Sequence, residues 1–397
     1  MIAIEGIEVL DLSYQGPGPF CTTILSDLGA NVTRITPPPS AGARQVVREM
    51  NTKQAAYSAS NRNKKSILLN LRCEEGRRIF HQLAARTDVV VEGFRPGVAQ
   101  RLGIDYETIA KINSKVIYCS VTGYGQDGPY RKLPGHDVNY ISFAGVLGMI
   151  GESGRQPVIP LNLIADYGAG GMSAVIGILS AIIAREKTGR GQYVDISLTD
   201  TVISLLTQVI LDPYFATGLA PQRGEHYLSG AYPSYSIYQT KDGRFISLGC
   251  LEPWLWANLC REIGKEEFIP YNVTRPLVPE EKAKWQEIRD YLINLFLTKT
   301  RDEWFEQMKD KDIPIGKILS LEEVFADPQV LHRQMVMELD HPTEGKIRQV
   351  GIGIKLSDTP GKFRNFASLT GEDTDETLKR LGYSTEKIDE LRQAGVV

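Results

Sequence analysis

The chain is short of the residues that build metal sites and disulfide frames. Five cysteines stand among 397 residues: Cys21, Cys73, Cys119, Cys250 and Cys260 are scattered, odd in number and never in CxxC spacing. That excludes a zinc ribbon or a paired disulfide scaffold and predicts reduced, mostly buried thiols. An excess of charge of one sign is also lacking. The 45 basic and 48 acidic side chains leave a net charge of −3, with no basic stripe to grip a phosphate backbone. Long apolar runs are missing as well. Met172 to Ala184, the longest, has thirteen residues, short of the ~17–25 that cross a bilayer. The opening MIAIEGIEVLDLS carries acids where a signal peptide carries bases, and it has no cleavable apolar core. Asn31-Val-Thr and Asn272-Val-Thr match a glycosylation pattern that has meaning only in a secreted chain. There are no internal repeats and no low-complexity tract. The expectation is a cytoplasmic protein with no metal, no nucleic-acid partner and no membrane partner.

What is present reads as an α/β chain long enough for two or three domains. Strand-type runs at Ile7–Leu12, Asn31–Ile35, Ser66–Leu71, Asp88–Glu92 and Val116–Val121 alternate with helical patterns. Those patterns fall at Pro19–Leu28, Arg77–Leu83, Val98–Leu102 and Tyr106–Ile112. Such alternation predicts βαβ units and a parallel sheet. Pro37–Ala41 reads as a loop. A long helix is expected from just after Asp166 to about Arg185, stopped by Thr188-Gly-Arg-Gly, with a strand at Tyr193–Leu198. Asp200 then reads as the N-cap of a helix over Thr201–Leu211. From about Arg223 the texture changes to short strands (Ser234–Gln239, Arg244–Leu248), a tryptophan-rich helix and charged helices. The division expected is 1–200 for a large domain, 201–222 for a linker helix, 223–326 for a smaller domain and 327–397 returning to the first. Short β pieces near Gly351–Leu356 and a helix over Asp373–Leu381 complete the reading.

Gly123-Tyr-Gly125-Gln-Asp-Gly128 fits GxGxxG after a strand, but Pro129 to Pro134 follows where a nicotinamide fingerprint needs a helix. The run Arg62-Asn-Lys-Lys65 reads either as a solvated loop or as a phosphate contact. Two segments hold the unusual residues. Leu133 to Tyr140 contains His136, one of only five histidines. Pro160 to Gly171 brings Asp166 along an apolar approach to a glycine-rich helix start, where backbone N–H groups can receive a developing oxyanion. From pattern alone Asp166 reads first as an ordinary N-cap, His136 as a hydrogen-bonded loop residue, and Glu252 as the anion at the start of the helix opened by Pro253.

In combination these segments resemble a known family. Gly135-His-Asp-Val-Asn-Tyr140, Ser142 to Leu147 and Pro160 to Asp166 are similar to the α-methylacyl-CoA racemase branch of the family III (CaiB/BaiF-type) CoA-transferase superfamily. Gly16-Pro-Gly-Pro-Phe20, Leu28 to Val32, Arg62 to Leu71 and Phe94 to Val98 extend the likeness. Ser120 to Gly125, Thr188 to Gln192 and Leu251-Glu-Pro253 carry it further, over most of the first 260 residues. The resemblance implies a large Rossmann-like domain plus a smaller α/β domain, two chains interlocked as rings, and active sites shared across that homodimer. It implies an acyl-CoA substrate, with CoA as part of that substrate and no prosthetic group. The CoA contacts implied are Arg34, Arg62, Lys65, Leu69, Arg95, Gly123, Tyr124, Gly125, Asp137, Asn139 and Tyr140. Where the racemases place a cation after the second strand, this chain has Thr36-Pro37-Pro38, so Arg34, Lys65 and Arg95 would serve in its place.

Two sister reactions follow from the resemblance. In the transferases the residue aligned with Asp166 attacks a thioester and carries the acyl group as a mixed anhydride. In the racemases it works with a histidine, here His136, on the carbon α to the thioester, one group on each face. The resemblance places Glu252 as the partner that fixes the tautomer of His136. His136 favours the racemase; the segment Asp312–Glu323 is as similar to the transferases, so CoA transfer between carboxylic acids through Asp166 is the alternative.

Overall fold

The computed structural model describes residues 1–39, 50–272 and 282–397. The end of the expected Pro37–Ala41 loop and most of the Asn272-Val-Thr sequon lie outside them. The described chain divides into two compact units. The first holds residues 1–144, 160–206 and 328–397; the second holds 145–159 and 207–327. Residues 145–159 thus group with the second unit, a segment that the sequence reading leaves in the first.

The first unit is built on six parallel strands: β1 (Glu8–Asp11), β2 (Asn31–Thr36), β3 (Lys64–Leu68), β4 (Val89–Glu92), β5 (Ile117–Thr122) and β6 (Tyr193–Ser197). Their order, β3-β2-β1-β4-β5-β6, is that of a doubly wound sheet, with its switch point between β1 and β4. Val9 pairs with Val32 on one side and Val89 on the other. The run Val89-Val-Val-Glu92 is buried throughout, which is why it lacks the alternation of a half-exposed strand. Strand β3 starts two residues before the sequence pattern suggests, because Lys64 is itself buried. Its ammonium donates to the Pro19 carbonyl at 2.9 Å and the Thr22 hydroxyl at 2.7 Å, and lies 3.6 Å from Asp11. Burial brings the Lys64 pKa down to about 8 against the pull of Asp11.

Helices cover the sheet. Pro17–Asp27 follows β1, with prolines in its first turn, where a missing N–H costs nothing. Glu74–Ala84, Val98–Leu102 and Tyr106–Ile112 lie where the apolar spacing puts them. Arriving from the far end of the chain, Leu378, Ile388, Leu391, Val396 and Val397 complete the core around Phe80, Tyr118 and Ile79. In this last third a hairpin of β10 (Val336–His341) and β11 (Gly345–Val350) replaces the β pieces expected at Gly351–Leu356. The reversal falls where Gly345 supplies a positive φ; beyond β11 the Gly351 N–H still bonds the Met335 carbonyl at 2.9 Å, and residues 351–356 form no strand.

The second unit has its own antiparallel sheet of β7 (Tyr235–Gln239), β8 (Phe245–Gly249) and β9 (Ile315–Lys317). Helices Pro253–Glu262, Lys282–Phe296 and Arg301–Met308 pack a separate core around Trp256, Phe296 and Trp304.

Two helix starts differ from the sequence reading. Ser197, whose hydroxyl accepts from the Asp200 N–H at 3.2 Å, caps the helix Leu198–Leu205, and Asp200 sits inside its first turn. The long helix begins at Leu163, before Asp166, with a wide-turn (π) stretch over Leu163–Gly171 that continues as an α-helix to Thr188. This places Asp166 within the helix, so it is not an N-cap. The whole helix Leu163–Thr188 is long and apolar enough to cross a membrane by length and composition. The thirteen-residue apolar count misses this because the π stretch extends it. Ala174, Val175, Ile178, Ala181 and Ile182 are buried within the fold.

Candidate active site

At the carboxyl ends of β1, β4 and β5, the loops starting at Ser13, Gly93 and Gly123 open onto a cleft of about 760 Å³. This is the switch-point crevice where doubly wound sheets hold ligands. The floor is fixed by Asp11, whose carboxylate accepts from the Ser13 N–H at 2.9 Å and from the hydroxyls of Ser13 and Thr22. Above it, Gly16 turns the chain with φ +60 into the following helix, and a Cβ there would lie 2.9 Å from Oδ2 of Asp166.

Asp166 reaches the cleft from the π stretch of the long helix, half-buried. Oδ2 accepts from the Asn162 side-chain amide at 3.1 Å. Burial lifts its carboxyl above the usual aspartate range; the Asn162 bond and the nearby His136 pull it down, and the charge of Asp137 pushes it up. His136 precedes the helix Asp137–Phe143, and its N–H donates to the Asn139 Oδ1 at 3.1 Å. The His136 imidazole lines the same cleft. Asp137 is buried, and its Oδ2 accepts from the backbone N–H groups of Ala165 at 2.7 Å and Asp166 at 2.9 Å. Those two donors are therefore taken, which removes them as the oxyanion site expected at this helix start.

Of the expected CoA contacts, the cleft gathers Arg95, Gly123, Tyr124, Asp137 and Tyr140, together with Arg131, which sequence reasoning passed over. Tyr140 donates its hydroxyl to the Gly135 carbonyl, and burial pushes its pKa up to about 12. Its ring stands edge-on to Tyr124, and a Cβ at Gly123 would lie 2.1 Å from it. Packing against Tyr140 thus accounts for Gly123, while Gly125 and Gly128 take positive φ (+82 and +77) in the loop, and no helix directly follows Gly128.

The remaining candidates lie elsewhere. Arg62 is buried, paired through two nitrogens with Asp27 at 2.9 and 2.7 Å, and bonded to the Val350 carbonyl; it has no group left for a phosphate. Leu69 is a core residue. Arg34 donates to Asn61 at 2.9 Å and Ser66 at 3.2 Å. Lys65, half-buried, pairs with Glu376 at 3.3 Å. Gly125 faces Ser197 and Asp195, and Asn139 is spent on His136. Glu252 precedes Pro253 in the second unit, without a side-chain cap bond.

A doubly wound sheet with an imidazole and a half-buried carboxylate on one switch-point cleft is the frame of an α/β enzyme. The comparisons give that enzyme a family. Residues 4–374 match CoA-transferase family III, and the chain belongs to that family. It is 32% identical over 397 residues to the alpha-methylacyl-CoA racemase of Homo sapiens, covering 100% of this chain and 98% of that protein. It is 33% identical over 403 residues to the succinyl-CoA:glutarate CoA-transferase of Homo sapiens, covering 99% and 90%. The crystal structure of a CAIB/BAIF family protein from Brucella suis superposes with a TM-score of 0.78 at 27% identity, covering 96% of this chain and 100% of that one. Both activities are thus found among relatives of nearly equal similarity.

Proposed function

We propose that the protein inverts the carbon α to the thioester of 2-methylacyl-CoA substrates, with His136 and Asp166 as the two proton-transfer groups. The observation that carries this reading is their convergence: both line one cleft, close enough for His136 to lower the proton affinity of Asp166. The thioester acidifies the α C–H. One group takes that proton from one face, leaving an enolate, and the other returns a proton to the opposite face. Each group therefore ends in the protonation state in which its partner began. The enolate oxygen needs a donor other than the N–H groups of Ala165 and Asp166, which Asp137 holds. Raising the Asp166 carboxyl by burial moves it toward the range in which a carboxyl group both gives and takes protons near neutrality. Arg95 and Arg131 supply positive charge in the same cleft for the phosphates of CoA, and Glu252 is assigned as the partner of His136.

The proposal extends to a cytoplasmic, interlocked homodimer with shared sites, requiring CoA only as part of the substrate. The competing reading, CoA transfer between carboxylic acids through an Asp166 anhydride, draws on the transferase relative and on Asp312–Glu323. Incubation with one epimer of a 2-methylacyl-CoA in D2O, without an acceptor acid, separates them. Racemisation places deuterium at the α carbon and yields both epimers. Movement of CoA to an added acid, with no α-exchange, would overturn the racemase.

A further inference from the structure

Asp137 stands next to His136 in the chain and against Asp166 in space. We infer that it is a positioning residue: its buried carboxylate ties the backbone that carries Asp166 to the residue following His136, and so sets the separation of the two proton-transfer groups. The inference rests on the racemase reading and deepens it.

Three observations carry it. First, one oxygen of Asp137, a residue 2% exposed, accepts both from Ala165 N–H at 2.7 Å and from Asp166 N–H at 2.9 Å. Charge-assisted bonds of this kind are shorter and stronger than neutral ones. Second, the helix Leu163–Thr188 has no cap of its own. Asn162 precedes it without a side-chain cap bond, and its amide goes to the Asp166 carboxylate instead. First-turn N–H groups need a partner, and here that partner comes from 28 and 29 residues away. Third, the other end of the link is also fixed. Asn139 holds the His136 N–H, and the Asn139 and Tyr140 N–H groups bond back to the His136 carbonyl at 2.8 and 3.2 Å. A local Ser or Asp at 162 would satisfy the same helix start as well for stability, but would leave His136 and Asp166 on independently moving segments.

A π stretch makes such a tie more necessary. Its i→i+5 pattern is looser than an α-helix and occurs mostly as short insertions, so the direction of Asp166 depends on what holds its N-terminal turn. The second oxygen, Oδ1, is buried with no hydrogen-bond partner among the described residues. This leaves the carboxylate free to act through Oδ2 alone.

The test compares Asp137→Ala and Asp137→Asn with wild type, using the full-length protein and 2-methylacyl-CoA in D2O. Asparagine retains one acceptor oxygen for the two amides but removes the charge. For Asp137→Ala we expect kcat for epimer interconversion to fall at least ~100-fold, as misplacement by about 1 Å does, with KM within about threefold. Single-epimer exchange, which needs one base, falls less. Asp137→Asn recovers to within about tenfold of wild type, and the Asp166 limb of its pH profile moves to lower pH because a neighbouring negative charge has gone. If both variants melt earlier but keep wild-type kcat, KM and pH limb, Asp137 is only a helix cap and the inference is overturned. A raised KM at unchanged kcat makes it a CoA contact and overturns it too. Wild-type protein that shows no exchange removes the racemase reading and this inference together; wild-type exchange with normal variants removes the inference alone.

Discussion

Oδ2 of Asp166 lies directly over the backbone of Gly16, so close that a Cβ at that position would stand 2.9 Å from it. The loop after β1 and the π stretch of the long helix thus meet at a carboxylate, and residue 16 has no space for a side chain.

Gly16→Ala meets two obstacles, the Asp166 oxygen and a φ of +60 that L residues rarely adopt. We expect a stability loss of about 1–2 kcal/mol and a disproportionate fall in turnover, at least ~10-fold, as Asp166 is pushed aside. Thermal melts read beside kcat check this; a variant with wild-type turnover would show that the contact does not orient Asp166.

His136→Ala should lose interconversion of epimers by several orders of magnitude and keep some α-proton exchange from the epimer whose hydrogen faces Asp166, since one base remains. Glu252→Gln should lose less and alter the pH profile. Deuterium incorporation followed separately from each epimer decides it. CoA transfer between acids by His136→Ala at near wild-type rate would mean that His136 only positions substrate.

Asp166→Asn should be inactive and yet more stable at neutral pH. The native carboxyl binds its proton more tightly than an unfolded aspartate with pKa ~3.9. Between the two values the folded state therefore holds more protons, stability falls as pH rises, and the deficit persists above. Asparagine carries no charge to bury and still accepts from Asn162. Calorimetry should show a higher Tm for the variant at pH 7, with the difference closing below about pH 4. A lower Tm at pH 7 would mean that the ionised carboxylate is net stabilising.

Arg62→Ala and Arg95→Ala should separate structure from binding. Losing Arg62 strands the buried Asp27 carboxylate, at a cost of about 3–5 kcal/mol. Losing Arg95, a cation of the cleft, should raise KM for acyl-CoA about tenfold, the equivalent of one charge-assisted bond, with little change in melting. Urea titration and steady-state kinetics on both variants check the contrast; the reverse pattern would return Arg62 to the binding site.

Sedimentation at micromolar concentration should show a dimer. The long helix leaves Met172, Ile176 and Ile183 exposed, apolar surface that a second chain would cover. A stable monomer with full activity would remove the shared-site architecture.

Much of this protein is determined locally. Val89-Val-Val reads as a buried parallel strand because both its faces are covered, prolines mark the start of the helix Pro17–Asp27, and Gly189 ends the long helix with a positive φ. These depend on side chains a few residues apart, which sequence displays directly, and so do the short motifs around His136, Asp166 and Glu252 that carry the family resemblance. What the local pattern leaves open are partnerships across long stretches of chain. A basic run gives no sign that Arg62 will meet Asp27, 35 residues earlier. An aspartate before small residues looks like a cap until the real cap arrives from Asp137, and the helix is then free to begin earlier, at Leu163, with Asp166 inside it. Hydrogen-bond partners for a buried charge or a helix end are assigned only once the chain has packed, because the cost of leaving either unpaired is settled by whatever group the tertiary fold brings within about 3 Å.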